Sequence, residues 1–178
     1  MRIRNIIFLI VLLVITDQVV KLIIYHSFMD VTYEIIPKVL DFRPMFNSKY
    51  SFVNDTIHQR TGIDAGLIFH VILFALIWIV IFIFYRFFKG VAPENKLLDV
   101  SFSFFTAGLI CSYLGMLVWE KGILDFLCFK PLGYVTCDLK DIYINCFVVL
   151  LFISTMKIEK EHKIRLKDMV SYLKGLFK

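Results

Sequence analysis

Residues 5–25 read NIIFLIVLLVITDQVVKLIIY, an apolar run long enough to cross a membrane as a helix but interrupted by Asp17 and Lys21. At a rise of ~1.5 Å per residue, about 20 residues cover the ~30 Å hydrocarbon core of a bilayer. A charge in that core costs at least ~2.5–3.5 kcal/mol. Because the two residues are four apart, they share a helix face and are predicted to form an ion pair directed towards protein.

Three further apolar segments, at about 66–85, 100–119 and 142–156, complete a set of four predicted membrane helices. Of the 178 residues, 59% are hydrophobic, above the ~45–50% that is usual in soluble domains. No basic patch with interleaved aromatic residues accompanies the net charge of +5, so nucleic-acid binding is not predicted. We predict an all-α membrane protein. A cleaved signal peptide, the alternative for the first segment, is disfavoured because no small-residue cleavage site follows it.

Lysine and arginine are unevenly divided between the two sides that the four helices define. Twelve lie on the side of the termini and the 86–99 loop, and seven lie in the 26–65 and 120–141 loops. Since cytoplasmic loops are enriched in these residues, both termini are predicted to be cytoplasmic. After a membrane domain of residues 1–157, apolar residues at steps of three and four in 158–178 predict a basic amphipathic helix on the inner leaflet, with a solvated helix as the alternative.

Two aspartates are predicted to meet at the outer membrane surface. Asp125 follows the third apolar segment, in GILDFLCF, and Asp141 opens the fourth, in VTCDLKDIYIN. Two adjacent carboxylates share a proton, which provides one acid and one base for the attack of water on a peptide bond. The alternative is structural: Asp138 or Asp141 caps the fourth helix, and Asp125 is a solvated loop residue.

Other reactive side chains support weaker hypotheses. His70 and Ser112 lie in neighbouring apolar segments and could pair, although no glycine-rich turn surrounds the serine. No histidines or cysteines have the spacing of a metal site and no phosphate-binding glycine loop occurs, so neither a metal nor a cofactor is predicted. Cys128 and Cys137 are nine residues apart in an outer loop and could form a disulfide in an oxidising compartment.

The order of these features resembles the signal peptidase II family, the prolipoprotein signal peptidases of bacteria. Asp17 and Lys21 match the family's Asp-x-x-x-Lys pattern in the first helix. Within IIPKVLDFRPMFNSKYSF, Asn47 and Phe52 match an Asn-Thr-Gly-Ala-Ala-Phe motif that follows a proline and a β-prone stretch. The resemblance therefore implies a small extracytoplasmic β-rich element around residues 35–55.

The family's catalytic aspartates follow the third helix and open the fourth, and Asp125 and Asp141 match those positions. The resemblance implies that these two hold a water molecule, one as base and one as acid, without a metal. It places Asp17 near the substrate pocket and Lys21 towards the membrane interface. The residues implied to bind substrate or support the site are Asp17, Lys21, Asn47, Phe52, Phe126 and Asp138.

The implied activity is removal of the signal peptide from lipid-modified prolipoproteins, by cleavage before the diacylglyceryl-cysteine. The implied setting is the bacterial cytoplasmic membrane, where a monomer contacts membrane lipids and its substrate and no nucleic acid. The family's Gly-Asn-x-x-Asp-Arg motif is missing, since Ser112-Tyr113 and Met116-Leu117 occupy its positions, and Lys140 replaces an alanine. The alternative function is a catalytically weak or inactive relative that binds lipidated or helical membrane partners.

Overall fold

The computed structural model describes residues 1–131 and 133–176, which form six helices and four strands. The helices are α1 (Ile3–Ser27), α2 (Phe52–Thr61), α3 (Gly66–Val91), α4 (Lys96–Leu117), α5 (Leu139–His162) and α6 (Leu166–Leu176). The strands are β1 (Tyr33–Ile36), β2 (Leu40–Asn47), β3 (Ile123–Phe129) and β4 (Val135–Cys137). Four helices, α1, α3, α4 and α5, are long and apolar enough to cross a membrane, which confirms the predicted membrane fold.

Two of the membrane helices, α4 and α5, begin at polar capping residues upstream of their apolar runs. Asn95 accepts a backbone N–H bond of 3.0 Å and starts α4 upstream of the predicted boundary. Asp138 caps α5 in the same way. The Asp141 side chain accepts a hydrogen bond from the Asp138 backbone N–H, which completes a capping box. Lys140 therefore lies in the first turn of α5, next to Asp141, although the apolar run begins only after both residues.

α4 is the central helix, and it packs against α5 and α1. Gly108 brings α4 and α5 close together, because a Cβ at this position would lie 2.8 Å from the Ile144 side chain. The Tyr143 hydroxyl on α5 donates a hydrogen bond of 3.1 Å to the Leu13 carbonyl on α1. Small residues and interhelical hydrogen bonds of this kind hold membrane helices together, since lipid provides no hydrophobic driving force between them.

A four-stranded antiparallel sheet in the order β1-β2-β3-β4 lies at the end of the bundle where α4 ends and α5 begins. Met45 on β2 lies opposite Asp125 on β3, so the central pair joins a hairpin that precedes α3 to one that follows α4. The β-rich element predicted at 35–55 is thus half of a larger sheet. The other half, β3 and β4, is absent from the prediction because both strands are short and β3 pairs with the distant β2.

Residues 52–61 form helix α2 and not part of the predicted β-rich element. Ser51 caps this helix by accepting the Asn54 N–H at 3.1 Å, and Gly62 ends it with a φ of 74°. The Ser51 hydroxyl also lies 3.1 Å from Nε2 of His70, which joins the start of α2 to α3. A serine cap and a glycine eleven residues apart are the sequence signals for this helix.

The two cysteines of the outer loop do not form the suggested disulfide, because both thiols are free. Cys128 lies opposite Thr136, and Cys137 lies opposite Leu127. Since successive residues of a strand point to opposite faces, the two thiols face opposite sides of the sheet. At the other end of the chain, α6 forms the predicted C-terminal helix.

Candidate active site

Strand β3 buries Asp125 between the sheet and the helical bundle. Its side chain is 3% exposed, so it is not the solvated loop residue of the structural alternative. The Oδ2 atom accepts hydrogen bonds from Thr136 Oγ1 at 3.2 Å and from Asn47 Nδ2 at 3.4 Å. Because these donors lie on the two neighbouring strands, the sheet itself fixes the orientation of this carboxylate.

The capping box of α5 positions the other two carboxylates. The Asp138 backbone N–H donates to Oδ2 of Asp141 at 3.0 Å, and the Asp141 N–H donates to Oδ1 of Asp138 at 3.4 Å. The Asp141 side chain is 42% exposed, whereas that of Asp138 is fully buried. The capping role proposed from the sequence is therefore present, and it coexists with the approach of Asp141 to Asp125.

Carboxylate oxygens of Asp125, Asp138 and Asp141 lie within 4.8 Å of one another. One water molecule reaches two groups that are up to about 6 Å apart through two hydrogen bonds, so the spacing permits a shared water. Three such carboxylates could also bind a metal ion. A cationic side chain already lies among them: Lys140 Nζ is 2.8 Å from Asp138 Oδ1, 3.1 Å from Asp141 Oδ2 and 3.3 Å from Asp125 Oδ1.

Helix α1 supports the cluster through a buried ion triad. Lys21 Nζ lies 3.0 Å from Asp17 Oδ2 and 2.6 Å from Asp138 Oδ2, and all three side chains are fully buried. The predicted Asp17–Lys21 pair is therefore present. Lys21 also contacts the carboxylate cluster directly through Asp138, a partner that the sequence did not indicate. Asp17 is linked to the cluster through Lys21, and this cation stabilises both buried carboxylates.

Within the carboxylate cluster, the two aspartates that precede α5, Asp125 and Asp138, have opposite pKa shifts. Burial raises the pKa of Asp125, and the nearby Lys140 charge only partly offsets this effect. Burial would also raise the pKa of Asp138, but Lys140 and Lys21 outweigh it and lower that pKa. Asp138 is therefore ionised at a lower pH than an ordinary aspartate, whereas Asp125 retains its proton to a higher pH than an ordinary aspartate.

A cavity of about 680 Å³ lies in front of the carboxylates. Asp125, Lys140 and Asp141 form part of its wall, together with Asn47 and Tyr50. Much of the remaining wall is apolar, including Phe74, Leu109, Leu127 and Ile144. A few convergent polar groups in a mainly apolar cavity are typical of a binding site for an apolar ligand with one reactive polar group.

The remaining predicted residues have different positions. Phe126 points to the opposite face of β3 from Asp125 and packs with Ile24 and Leu124, so it does not line the cavity. Phe52 is the first residue of α2, and its side chain lies outside the part of the structure that is described. Sequence reasoning noted Lys140 only as a departure from a motif and did not identify Thr136, which is paired with Cys128 in the sheet and reaches Asp125 through its hydroxyl group.

His70 and Ser112 do not pair. The Ser112 hydroxyl donates to the Gly108 carbonyl at 2.9 Å, within its own helix. His70 Nδ1 lies 2.7 Å from the Gly66 carbonyl, which can only accept, so Nδ1 carries a proton. Nε2 forms a hydrogen bond with Ser51, and the histidine thereby holds the start of α2 against α3.

Gly122, directly before β3, is expected to be intolerant of a side chain. Its φ is 101°, and a Cβ would lie 2.4 Å from the Asn47 carbonyl oxygen. Gly122→Ala should therefore separate β2 from β3 and lower the free energy of unfolding by ~1–3 kcal/mol, measured by thermal unfolding in detergent.

Gly133→Ala is the matched control for this substitution. Gly133 also has a positive φ, of 84°, but a Cβ there meets nothing within 4 Å. It should show only the smaller cost of the left-handed backbone, ~1–2 kcal/mol. Equal losses in the two variants would show that contact with Asn47 is unimportant.

Comparison with known proteins assigns the family. The family model described as Signal peptidase (SPase) II matches residues 9–157. A bacterial membrane enzyme structure obtained by the in meso method at 1.9 Å is 24% identical, with a TM-score of 0.63 over 88% of this chain and 95% of that chain. A second, at 2.3 Å, is 20% identical, with a TM-score of 0.62 over 92% and 94%. No curated protein sequence matches. Because the family match covers most of its length, the chain belongs to the signal peptidase II family.

Proposed function

We propose that this protein is an aspartyl endopeptidase that removes the signal peptide from lipid-modified prolipoproteins, cleaving before the diacylglyceryl-cysteine. Family membership supports the peptidase activity and the substrate class. The observation that carries the proposal is the spacing of Asp125 and Asp141, whose carboxylate oxygens lie within 4.8 Å of each other in the wall of a large cavity. This is the arrangement that lets one carboxyl group act as acid while the other acts as base.

The environments of Asp125 and Asp141 indicate which of them acts as the acid and which as the base. Burial raises the pKa of Asp125, so this residue keeps its proton to a higher pH than an ordinary aspartate and can serve as the acid. Asp141 has a side chain that is 42% exposed, so water can reach it. We therefore assign Asp141 as the base that accepts a proton from the attacking water.

The reaction then needs only water and these two groups. Water attacks the scissile carbonyl carbon, Asp141 accepts its proton, and Asp125 protonates the carbonyl oxygen to give a tetrahedral diol. When the C–N bond breaks, the leaving amine takes the proton from Asp141, and one diol hydroxyl returns a proton to Asp125. Both carboxyl groups are thereby restored. Asn47 and Thr136 hold Asp125 in position through their hydrogen bonds to Oδ2.

The membrane setting fits this substrate. We propose that both termini, and a C-terminal segment of residues 158–178 on the inner leaflet, are cytoplasmic, and that the unit of residues 1–157 opens its site to the outer face of a bacterial cytoplasmic membrane. Twelve of the lysines and arginines then lie inside and seven outside. Acyl chains of the substrate would meet the apolar cavity wall, while water enters from the outer surface.

Cleavage of a purified substrate tests the function. The full chain in detergent or lipid nanodiscs is incubated with a diacylglyceryl-modified prolipoprotein, and the products are followed by gel shift and mass spectrometry. The expected result is a new N-terminus at the lipidated cysteine. The same substrate with that cysteine replaced by serine, which cannot be lipidated, should remain uncut. Binding of the lipidated substrate without cleavage at any pH would reject the peptidase proposal and favour a binding protein.

A further inference from the structure

Lys140 lies at the centre of the carboxylate cluster, and the mechanism above gives it no role. Its side chain is 9% exposed, and its ammonium group has three N–H donors and three carboxylate neighbours. Two of the contacts, at 3.3 Å and 3.1 Å, go to one oxygen each of Asp125 and Asp141. The ammonium thus bridges the two proposed catalytic groups directly, in the position that a shared proton or a bridging water would take.

We propose that Lys140 is a positioning residue of the aspartyl site, which holds Asp125 and Asp141 together and, by its charge, moves the working pH of the enzyme downwards. The effect on the pH dependence of cleavage rests on the proposed function. The third contact, of 2.8 Å, goes to Asp138, which is anchored to α1 by Lys21. Lys140 is therefore held at a fixed place relative to the bundle. The second oxygen of Asp141, on the half-exposed side chain, is then the one that receives the attacking water.

The geometry explains why the ammonium can hold this position. Three carboxylates within 4.8 Å of one another repel strongly in a buried site unless a cation lies among them. Lys21 is already paired with Asp17 and Asp138, so Lys140 is the cation that faces Asp125 and Asp141. Further titratable groups near the cluster are Cys111 on α4, Cys137 on β4 and Tyr143 on α5. A substitution of Lys140 leaves these side chains in place, and the charge of Lys140 acts on Cys137 as well as on the carboxylates.

The direction of the pH effect follows from the sign of the charge. An ammonium group favours the ionised form of a neighbouring carboxyl group, so it opposes the retention of a proton by Asp125. Cleavage needs that proton, and activity therefore falls as pH rises through the pKa of Asp125. Without the charge of Lys140 the pKa of Asp125 rises further. The alkaline limb of the pH–activity profile should then move to higher pH.

The test compares wild type with Lys140→Met, Lys140→Gln and Lys140→Arg. In the two neutral variants the alkaline limb of the cleavage profile should shift upwards by ~1–3 pH units, whatever the change in maximal rate. Lys140→Arg keeps the charge and should restore the position of the wild-type limb. Lys130→Met is the matched control, because Lys130 also binds two acids, Glu34 and Asp41, but at the far end of β3. It should leave the limb unmoved.

A second readout does not depend on cleavage. The infrared carbonyl band of the protonated Asp125 carboxyl group, identified by its loss in Asp125→Asn, is followed against pH. Its midpoint should rise by ~1–3 pH units in Lys140→Gln. An unchanged midpoint in the neutral variants overturns the inference, even if their rates fall. If wild type cleaves nothing but the midpoint shifts, the proposed function fails and the role of Lys140 stands.

Discussion

Asp125→Asn is expected to reduce cleavage of lipidated prolipoprotein by ~10²–10⁴-fold, the usual contribution of a general acid or base. An asparagine keeps the size of the side chain and can still bond to Thr136, but it cannot protonate the scissile carbonyl. Asp141→Asn should reduce cleavage over the same range, because an amide cannot accept a proton from water. Both are measured as initial rates of the gel-shift assay at equal amounts of folded protein.

Asp30→Asn is a suitable control, because Asp30 is exposed and lies after α1, at the same end of the bundle as the sheet. It should keep the wild-type rate. If both site variants also keep that rate, the assignment of the dyad is wrong. The double variant should be little slower than either single one, since residues that act as one unit are not additive.

Lys21→Met is expected to lower the free energy of unfolding by ~3–5 kcal/mol, the usual cost of removing one partner from a buried ion pair. The substitution preserves the volume of the side chain but removes the cation that is 3.0 Å from Asp17. Asp138 keeps Lys140, whereas Asp17 loses its cation and keeps a neutral hydrogen bond of 2.8 Å from Gln18. Thermal unfolding in detergent, followed by circular dichroism, measures the loss.

Lys157→Met serves as the comparison, because Lys157 is an exposed lysine near the other end of α5. Its effect should stay within ~0.5 kcal/mol of wild type. Adding Asp17→Asn to Lys21→Met should recover part of the stability, because the uncompensated charge is removed. A Lys21→Met protein as stable as the Lys157→Met protein would mean that the triad does not stabilise the fold.

Hydropathy predicted the membrane helices because burial in lipid demands long apolar runs, and such runs are visible in a single sequence. The first turns of α4 and α5 were missed, since Asn95 and Asp138 start these two helices through polar caps outside the apolar runs. The second hairpin was missed for another reason. Strand β3 is stabilised by pairing with β2, and a contact between distant segments leaves no local periodicity in a seven-residue strand.

For the candidate site, the sequence placed Asp125 and Asp141 correctly at the same end of the bundle, because both flank membrane helices. It could not give Asp138 as the second partner of Lys21, since a lysine near a helix end can equally extend its ammonium group to the membrane interface. Lys140 was noted only as a replaced alanine. Its role depends on the distance between β3 and α5, which only the folded chain defines.

The pairing of β2 with β3 has a consequence for biosynthesis. Asn47 and Asp125, which meet across that pair, are 78 residues apart in the chain. During synthesis the first hairpin, formed by β1 and β2, is made before β3. One edge of β2 therefore stays unpaired while α3 and α4 are synthesised. The candidate site needs Asp125 on β3 and Asp141 on α5, so it cannot be complete until the start of α5 has been synthesised.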